Sequence, residues 1–168
     1  MIQTKIEQAV AEFIARSYIA AGVATGDVEQ RGTVLAFTGA LAGQPDLRIH
    51  PGETDAEAIL PAVLVVAGDG EEDDLGNQTI DITLKVIFPF DPDNVQADQL
   101  TRLDEEFERV FGFAADDAIG EQMATLNTIT TDLSIIGIET RSSRREFEER
   151  RAVRELTLRA YCADVAVY

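Results

Sequence analysis

The strict alternation in IDITLKVIF, residues 80–88, is the pattern that most constrains this chain. Its apolar members are Ile80, Ile82, Leu84, Val86 and Phe88. A period of two places these side chains on one face only if the segment is a β-strand. Residues 59–67 are almost continuously apolar, which is typical of a strand buried on both faces. The two segments predict a long antiparallel hairpin across the polar connection 68–78, with Pro89 and Pro92 closing it.

Helical periodicity flanks this pair of strands. Near the N-terminus, apolar residues recur every three or four positions: Ile2, Ile6, Val10, Phe13, Ile14 and Tyr18. This spacing predicts an amphipathic helix that Gly22 and Gly26 end. A second stripe is formed by Leu100, Leu103, Phe107, Val110 and Phe111, and a third by Ile119, Met123 and Leu126. We therefore predict a helix pair after the hairpin, with Asp93 or Asn94 as its cap.

Shorter strands complete the predicted sheet. We expect strands at 33–38 and 46–50, and two more near 131–140 and 152–163. The segment SSRREFEERR, which begins at Ser142, is predicted to be a charged connection between the last two. The chain is therefore predicted to be a single α+β domain over residues 1–168, with an antiparallel or mixed sheet. The N-terminal helix and the helix pair would cover one face, and a charged C-terminal β-hairpin would end the chain.

Charge limits the partners of this domain. The chain has 31 acidic and 14 basic residues, a formal net charge of −17. Such a balance favours a soluble protein and argues against sequence-specific nucleic-acid binding and against anionic membranes. The first ten residues have no basic stretch before an apolar core, so we expect no signal peptide. A single cysteine, Cys162, is consistent with a reducing compartment such as a cytoplasm.

No residue pattern indicates catalysis, a cofactor or a metal. His50 is the only histidine, and its neighbours Pro51 and Gly52 indicate a loop residue. Cys162 stands in the apolar register of a strand, which predicts a buried core residue. The two do not approach the four ligands of a structural zinc site. The acidic run 69–74 could hold calcium but lacks the spacing of a calcium loop, so a solvated hairpin tip is the better interpretation.

Basic residues are concentrated in one segment. Seven of the 14 basic residues fall between positions 141 and 159: Arg141, Arg144, Arg145, Arg150, Arg151, Arg154 and Arg159. One interpretation is a solvated hairpin whose arginines pair with Glu146, Glu148, Glu149 and Glu155. The other is a basic arm that docks on the acidic body of an identical copy. Head-to-tail contacts of that kind can close into a ring.

The order of these elements resembles the tail terminator (tail-completion) proteins of long-tailed bacteriophages. The resemblance covers residues 1–20 and 59–165. Its elements are the N-terminal helix, the strand LPAVLVV, the alternating strand IDITLKVIFP, the helix ADQLTRLDEEFERVFG and the charged C-terminal hairpin ending in RRAVRELTLRAYCADV. Residues 27–55 do not follow the family pattern. No short diagnostic motif contributes.

The resemblance implies a virion protein, assembled in the host cytoplasm, that forms a hexameric ring on the head-proximal end of the tail tube. Its partners would be the tail tube protein and a head-completion or connector protein. The expected inter-subunit residues are Arg141, Arg144, Arg145, Arg150, Arg151 and Arg154. The expected contacts to tube or connector are Asp69, Glu71, Asp73, Asp91 and Asp93. Two alternatives stay open: another neck or head-completion protein, and an acidic chaperone or adaptor that binds one client.

Overall fold

The structure is a computed structural model that describes residues 2–20, 28–37, 47–52, 61–89, 133–148 and 151–164, together with Glu105 and Arg109. One helix, α1, spans Ile2–Ala20. The strands are β1 (Val28–Arg31), β2 (Val34–Phe37), β3 (Leu47–Pro51), β4 (Ala62–Ala67), β5 (Glu71–Glu72), β6 (Asn77–Pro89), β7 (Leu133–Glu148) and β8 (Arg151–Asp164).

All these strands form one mixed sheet. Its order is β1-β2-β3-β4-β6-β8-β7, and β5 pairs with β6 beside this path. The β3–β4 pair is parallel, and every other pair is antiparallel. The α+β class and the predicted mixed sheet are thus confirmed at this level. Strand β8 pairs along its length with both β6 and β7, so the three longest strands of the sheet lie side by side.

Helix α1 lies on one side of this sheet, against β2, β3 and β4. Its apolar stripe is buried and joins alternate residues of the strands in one cluster, which includes Ile14, Val63 and Leu84. The N-terminal helix and the alternation along β6 are therefore confirmed. Ala62 and Leu64 are buried in a second cluster with Ile87 and Val153. Strand β4 is thus buried on both faces, as the continuous apolar pattern predicts.

The predicted connection between the last two strands is wrong. Residues 142–148 continue β7, which is 16 residues long, and Arg144 lies opposite Glu155 of β8. A strand of alternating polar residues is stable at this position because β8 satisfies its backbone groups and offers opposite charges. Charge density alone therefore misled the prediction. The basic segment is part of the sheet and does not project from it as an arm.

Two smaller differences concern the first half of the chain. Strand β1 was not predicted, and β4 begins at Ala62 rather than at residue 59. His50 is not a loop residue: it lies in β3 opposite Leu64 and is buried. The parallel pairing with β4 extends β3 to Pro51, which occupies the end of the strand, where proline is tolerated.

The predicted helix pair lies outside the described residues. Within it only Glu105 and Arg109 are described, and both are helical and exposed. Asp91, Asp93 and Pro92 also lie outside the described ranges.

Candidate protein-interaction face

The sheet face opposite α1 carries an ordered array of charged residues on β6, β8 and β7. We call it the ionic face. Its members are Asp81, Thr83 and Lys85 on β6, Glu155, Thr157, Arg159 and Tyr161 on β8, and Glu139, Arg141, Ser142, Arg144 and Glu146 on β7. They share a face because they alternate with the core residues of the same strands. Bulges in β7 keep its charges in step with β8, since one register shift falls between Thr140 and Ser142.

The first charged row of the ionic face runs across Asp81, Arg159 and Glu139. The Nε of Arg159 donates to Oδ1 of Asp81 at 2.9 Å, and a second guanidinium nitrogen lies 3.4 Å from Oδ2. This two-point contact lowers the pKa of Asp81. Glu139 accepts hydrogen bonds from Arg141 at 3.2 Å and from the Tyr161 hydroxyl at 2.9 Å. The second of these bonds raises the pKa of Tyr161.

The second charged row runs across Lys85, Glu155 and Arg144. The Lys85 Nζ lies 3.8 Å from Oε2 of Glu155, and Arg144 approaches the same oxygen at 3.4 Å. Arg144 also lies 3.3 Å from Glu146 on its own strand. The signs are therefore opposite to those of the first row on every strand. Between the two rows lies an uncharged row of hydroxyls formed by Thr83, Thr157 and Ser142.

The ionic face is locally neutral although the chain is strongly acidic. Its acids are Asp81, Glu139, Glu146 and Glu155, and its bases are Lys85, Arg141, Arg144 and Arg159. Four charges of each sign cancel, in a chain of net charge −17. Exposed ion pairs of this kind contribute only about 0–1 kcal/mol each. Their side chains can therefore adjust at small cost to form additional pairs with a partner.

Not every predicted interface arginine lies on this face. Arg141 and Arg144 do, with side chains 50% and 59% exposed. Arg154 points to the core side, where it is 5% exposed and donates to the Ser143 hydroxyl at 3.1 Å. Arg145 lies opposite Arg154 in the ladder and is therefore exposed on the side of α1, whereas Arg151 is half-buried on the side of Glu155, beyond the residues that define the ionic face. Arg150 lies outside the described residues.

Three of the predicted acidic contacts lie in the β5–β6 hairpin or just before it, near the start of β6. Asp69, Glu71 and Asp73 are all exposed there. Asp73 shapes the turn, since its Oδ1 accepts the backbone N–H groups of Asn77 at 2.9 Å and Leu75 at 2.8 Å. These bonds lower the pKa of Asp73. The turn presents Leu75, which is 83% exposed, among the acids.

Other chemistry-bearing residues are part of the core. Cys162 is fully buried, as predicted, and burial raises the pKa of its thiol to about 11. Among the described residues, no group of three or more His, Cys, Asp or Glu side chains is placed to hold a metal ion. An open groove of about 400 Å³ lies beside α1, and its lining includes Glu12, Arg16, Ile19 and Leu35.

The alternation along residues 80–88 and 155–162 predicts a sheet with one more polar face that is available to partners, and the register of β6 and β8 places these polar residues on one side. Sequence reasoning missed two members of the ionic face, Tyr161 and Glu139. Tyr161 follows Glu155, Thr157 and Arg159 at even spacing, so its position on this face could have been inferred from β8 alone. The pair between Asp81 and Arg159 could not have been inferred from one strand, because the two residues are 78 positions apart. Their contact depends on the β6–β8 register, which no local pattern specifies.

In comparisons with known proteins, no protein-family model and no curated protein matches the chain. Within the described ranges, no helix combines the length and apolar character needed to cross a membrane.

Proposed function

We propose that this protein is a structural component of a bacteriophage tail, a terminator that forms a ring on the head-proximal end of the tail tube. The order of elements from α1 through β4, β6 and β8 supports the family resemblance. The observation that carries most weight is the ionic face, an array of exposed and half-exposed charges suited to contacts between proteins. Charge complementarity of this kind sets orientation and partner choice.

A ring requires a heterologous contact between two different surfaces of each copy. Arg141 and Arg144 on the ionic face, with Arg145 exposed on the other side of the same strand, supply the basic surface. The acidic body of the neighbouring copy supplies the other one. Asp69, Glu71 and Asp73, together with Asp91 and Asp93 outside the described residues, are the proposed contacts to tube or connector.

The ring contact is tested by reversing Arg144 and Arg145 to glutamate together. We expect the double variant to remain folded and monomeric, because both side chains are exposed. Negative-stain electron microscopy and sedimentation velocity would show loss of rings. The matched control reverses Arg16 and Arg109, which are exposed on helical segments and change the net charge equally. Rings that persist in the β7 variant would overturn the contact.

The biological role is tested by electron microscopy of lysates after the gene is disrupted in its phage. Overlong or irregular tails lying apart from heads would establish a terminator. Tails of normal length beside unattached heads would favour the alternative neck or head-completion role. Intact virions would exclude both, and purification of a stable complex with one basic client would then favour the chaperone or adaptor.

A further inference from the structure

The two charged rows of the ionic face are related by inversion of sign. On β6 the inverted pair is Asp81 and Lys85, and on β8 it is Arg159 and Glu155. On β7 it is Glu139 and Arg144. Each pair is centred on one member of the hydroxyl row, two ladder positions away on either side. The bulge at β7 preserves this symmetry, because Glu139 pairs with Arg159 and Arg144 pairs with Glu155.

This pattern is self-complementary under a two-fold rotation. Consider a second copy turned by 180° about an axis that follows the hydroxyl row, just above the face. The rotation keeps each strand over its own counterpart and exchanges the two charged rows. The copy's Lys85 then lies over Asp81, its Glu155 over Arg159 and its Arg144 over Glu139. The same three pairs recur on the other side of the axis, so six opposite-charge pairs form.

The geometry of packed sheets is compatible with this arrangement. Facing sheets lie about 10 Å apart, a gap that pairs of long Arg, Lys and Glu side chains can bridge. The strands of the two copies would be nearly aligned, as in other sheet-on-sheet packings. Ion pairs within each copy would persist and join pairs between copies in one network.

Exposure places the centre of the contact on β7, since Lys85 of β6 and Glu155 of β8 are only 29% and 23% exposed. The side chains of Glu139, Arg144 and Glu146 are 43%, 59% and 46% exposed. On β6, by contrast, Ile87 is fully buried within the chain, as is most of Val153 beside it. The contact therefore ends before the row formed by Ile87 and Val153. Along the hydroxyl row it extends from β6 toward β7, which forms the edge of the sheet.

We infer that the ionic face binds the same face of a second copy and forms a two-fold dimer. The occupant is another copy because the face matches its own inverse, and because its two charged rows together are neutral, which avoids the repulsion that the acidic remainder of the chain would impose. The inference does not rest on the proposed ring. A chain in this dimer has Arg144 covered, so dimer and ring exclude each other, and the dimer would be the form adopted before assembly.

Two single reversals on β7 test the dimer. Glu139→Arg leaves arginine at both 139 and 144, so two such copies place like charges together. Arg144→Glu leaves glutamate at both positions, with the same result. Each variant alone should dimerise about a hundredfold or more weakly than the natural chain, because like charges at an interface cost several kcal/mol. Mixed one to one, they place the arginine introduced at position 139 of one variant over the glutamate introduced at position 144 of the other.

Native mass spectrometry and sedimentation velocity of the three samples decide the question. The expected result is monomer for each variant and recovery of a one-to-one heterodimer in the mixture. Glu72→Arg and Arg16→Glu serve as controls of equal charge change on exposed residues outside the face, and both should dimerise like the natural chain. A mixture that stays monomeric, or either variant dimerising normally, would overturn the proposal.

The same variants separate the dimer from the ring. Glu139→Arg keeps Arg144 and Arg145, so it should abolish the dimer while rings and normal tails still form. Circular dichroism of each variant verifies folding before association is compared. Loss of rings without recovery of dimers in the mixture would instead indicate that the face serves only the head-to-tail contact.

Discussion

Side-chain direction along β8 decides which residues a partner can reach. Arg159 and Tyr161 stand on the ionic face, whereas Arg154 and Cys162 point to the core side of the same strand. Arg154 and Arg159 thus have different surroundings although they lie on the same strand. Arg154 is compatible with burial because Ser143 accepts one of its hydrogen bonds. Arg159 instead forms an ion pair with Asp81 on the solvent side of the sheet.

Cys162 provides a test at this scale. Burial raises the pKa of its thiol from 9.0 to about 11, and only the thiolate reacts with thiol reagents. We expect the folded chain at pH 8 to react roughly a hundredfold or more slowly than the chain in denaturant, because the raised pKa alone lowers the thiolate fraction by about that factor. Absorbance with a chromogenic disulfide reagent measures both rates. Equal rates would mean that the thiol is accessible.

At the scale of the element, the β5–β6 hairpin owes its shape to two residues. Asp73 binds the backbone of the turn, and Gly76 occupies a positive φ of 81°. A residue with a Cβ is strained there whatever the surrounding space. Because the pKa of Asp73 is lowered on folding, its contribution is present above the ordinary carboxyl pKa and is lost as pH falls through the lower folded value.

Replacing Gly76 by alanine should destabilise the fold. The nearest atom to a new Cβ is Oε1 of Glu72 at 3.9 Å, so the cost is conformational rather than steric. It amounts to about 1 kcal/mol. Gly68→Ala is the matched control, because it reduces the freedom of the unfolded chain equally but has no positive φ. Denaturant unfolding of both variants measures the difference. Equal stability would show that the turn relaxes at no cost.

At the scale of the whole molecule, the chain is strongly acidic, whereas the ionic face is neutral. The charge of −17 makes the folded chain repel itself, and most described acids outside the ionic face, such as Glu71 and Asp74, are exposed. The ionic pairs across the sheet offset this repulsion only slightly, because exposed pairs are weak.

Salt should therefore stabilise this protein. Raising NaCl from about 10 mM to about 150 mM shortens the screening length from about 30 Å to about 8 Å. That change weakens repulsion over the whole surface more than it weakens contacts at hydrogen-bond distance. We expect the melting temperature to rise by about 2–4 °C for each kcal/mol of repulsion removed. Thermal melts followed by circular dichroism measure it, and a falling melting temperature would show that the ion pairs dominate.

By itself the sequence determined the features that depend on short-range periodicity. The three- and four-residue spacing of the first helix, the alternation of 80–88 and the apolar run before it predicted α1, β6 and β4, and the register of Cys162 predicted its burial. Each rests on the repeat of a single element, which neighbouring residues reveal. The same periodicity failed at 142–148, where the strand has no apolar face to mark it.

Only the tertiary structure decided which strands are neighbours and in what register. Placing β8 between β6 and β7 brings Asp81 to Arg159 and Arg144 to Glu155, and no charge pattern within one segment specifies those partners. A shift of one residue in either ladder would turn each array to the other face. The packing of the buried side of the sheet fixes the register between strands that are distant in sequence. That register also fixes which charged residues become neighbours on the other side, and so it creates the ionic face.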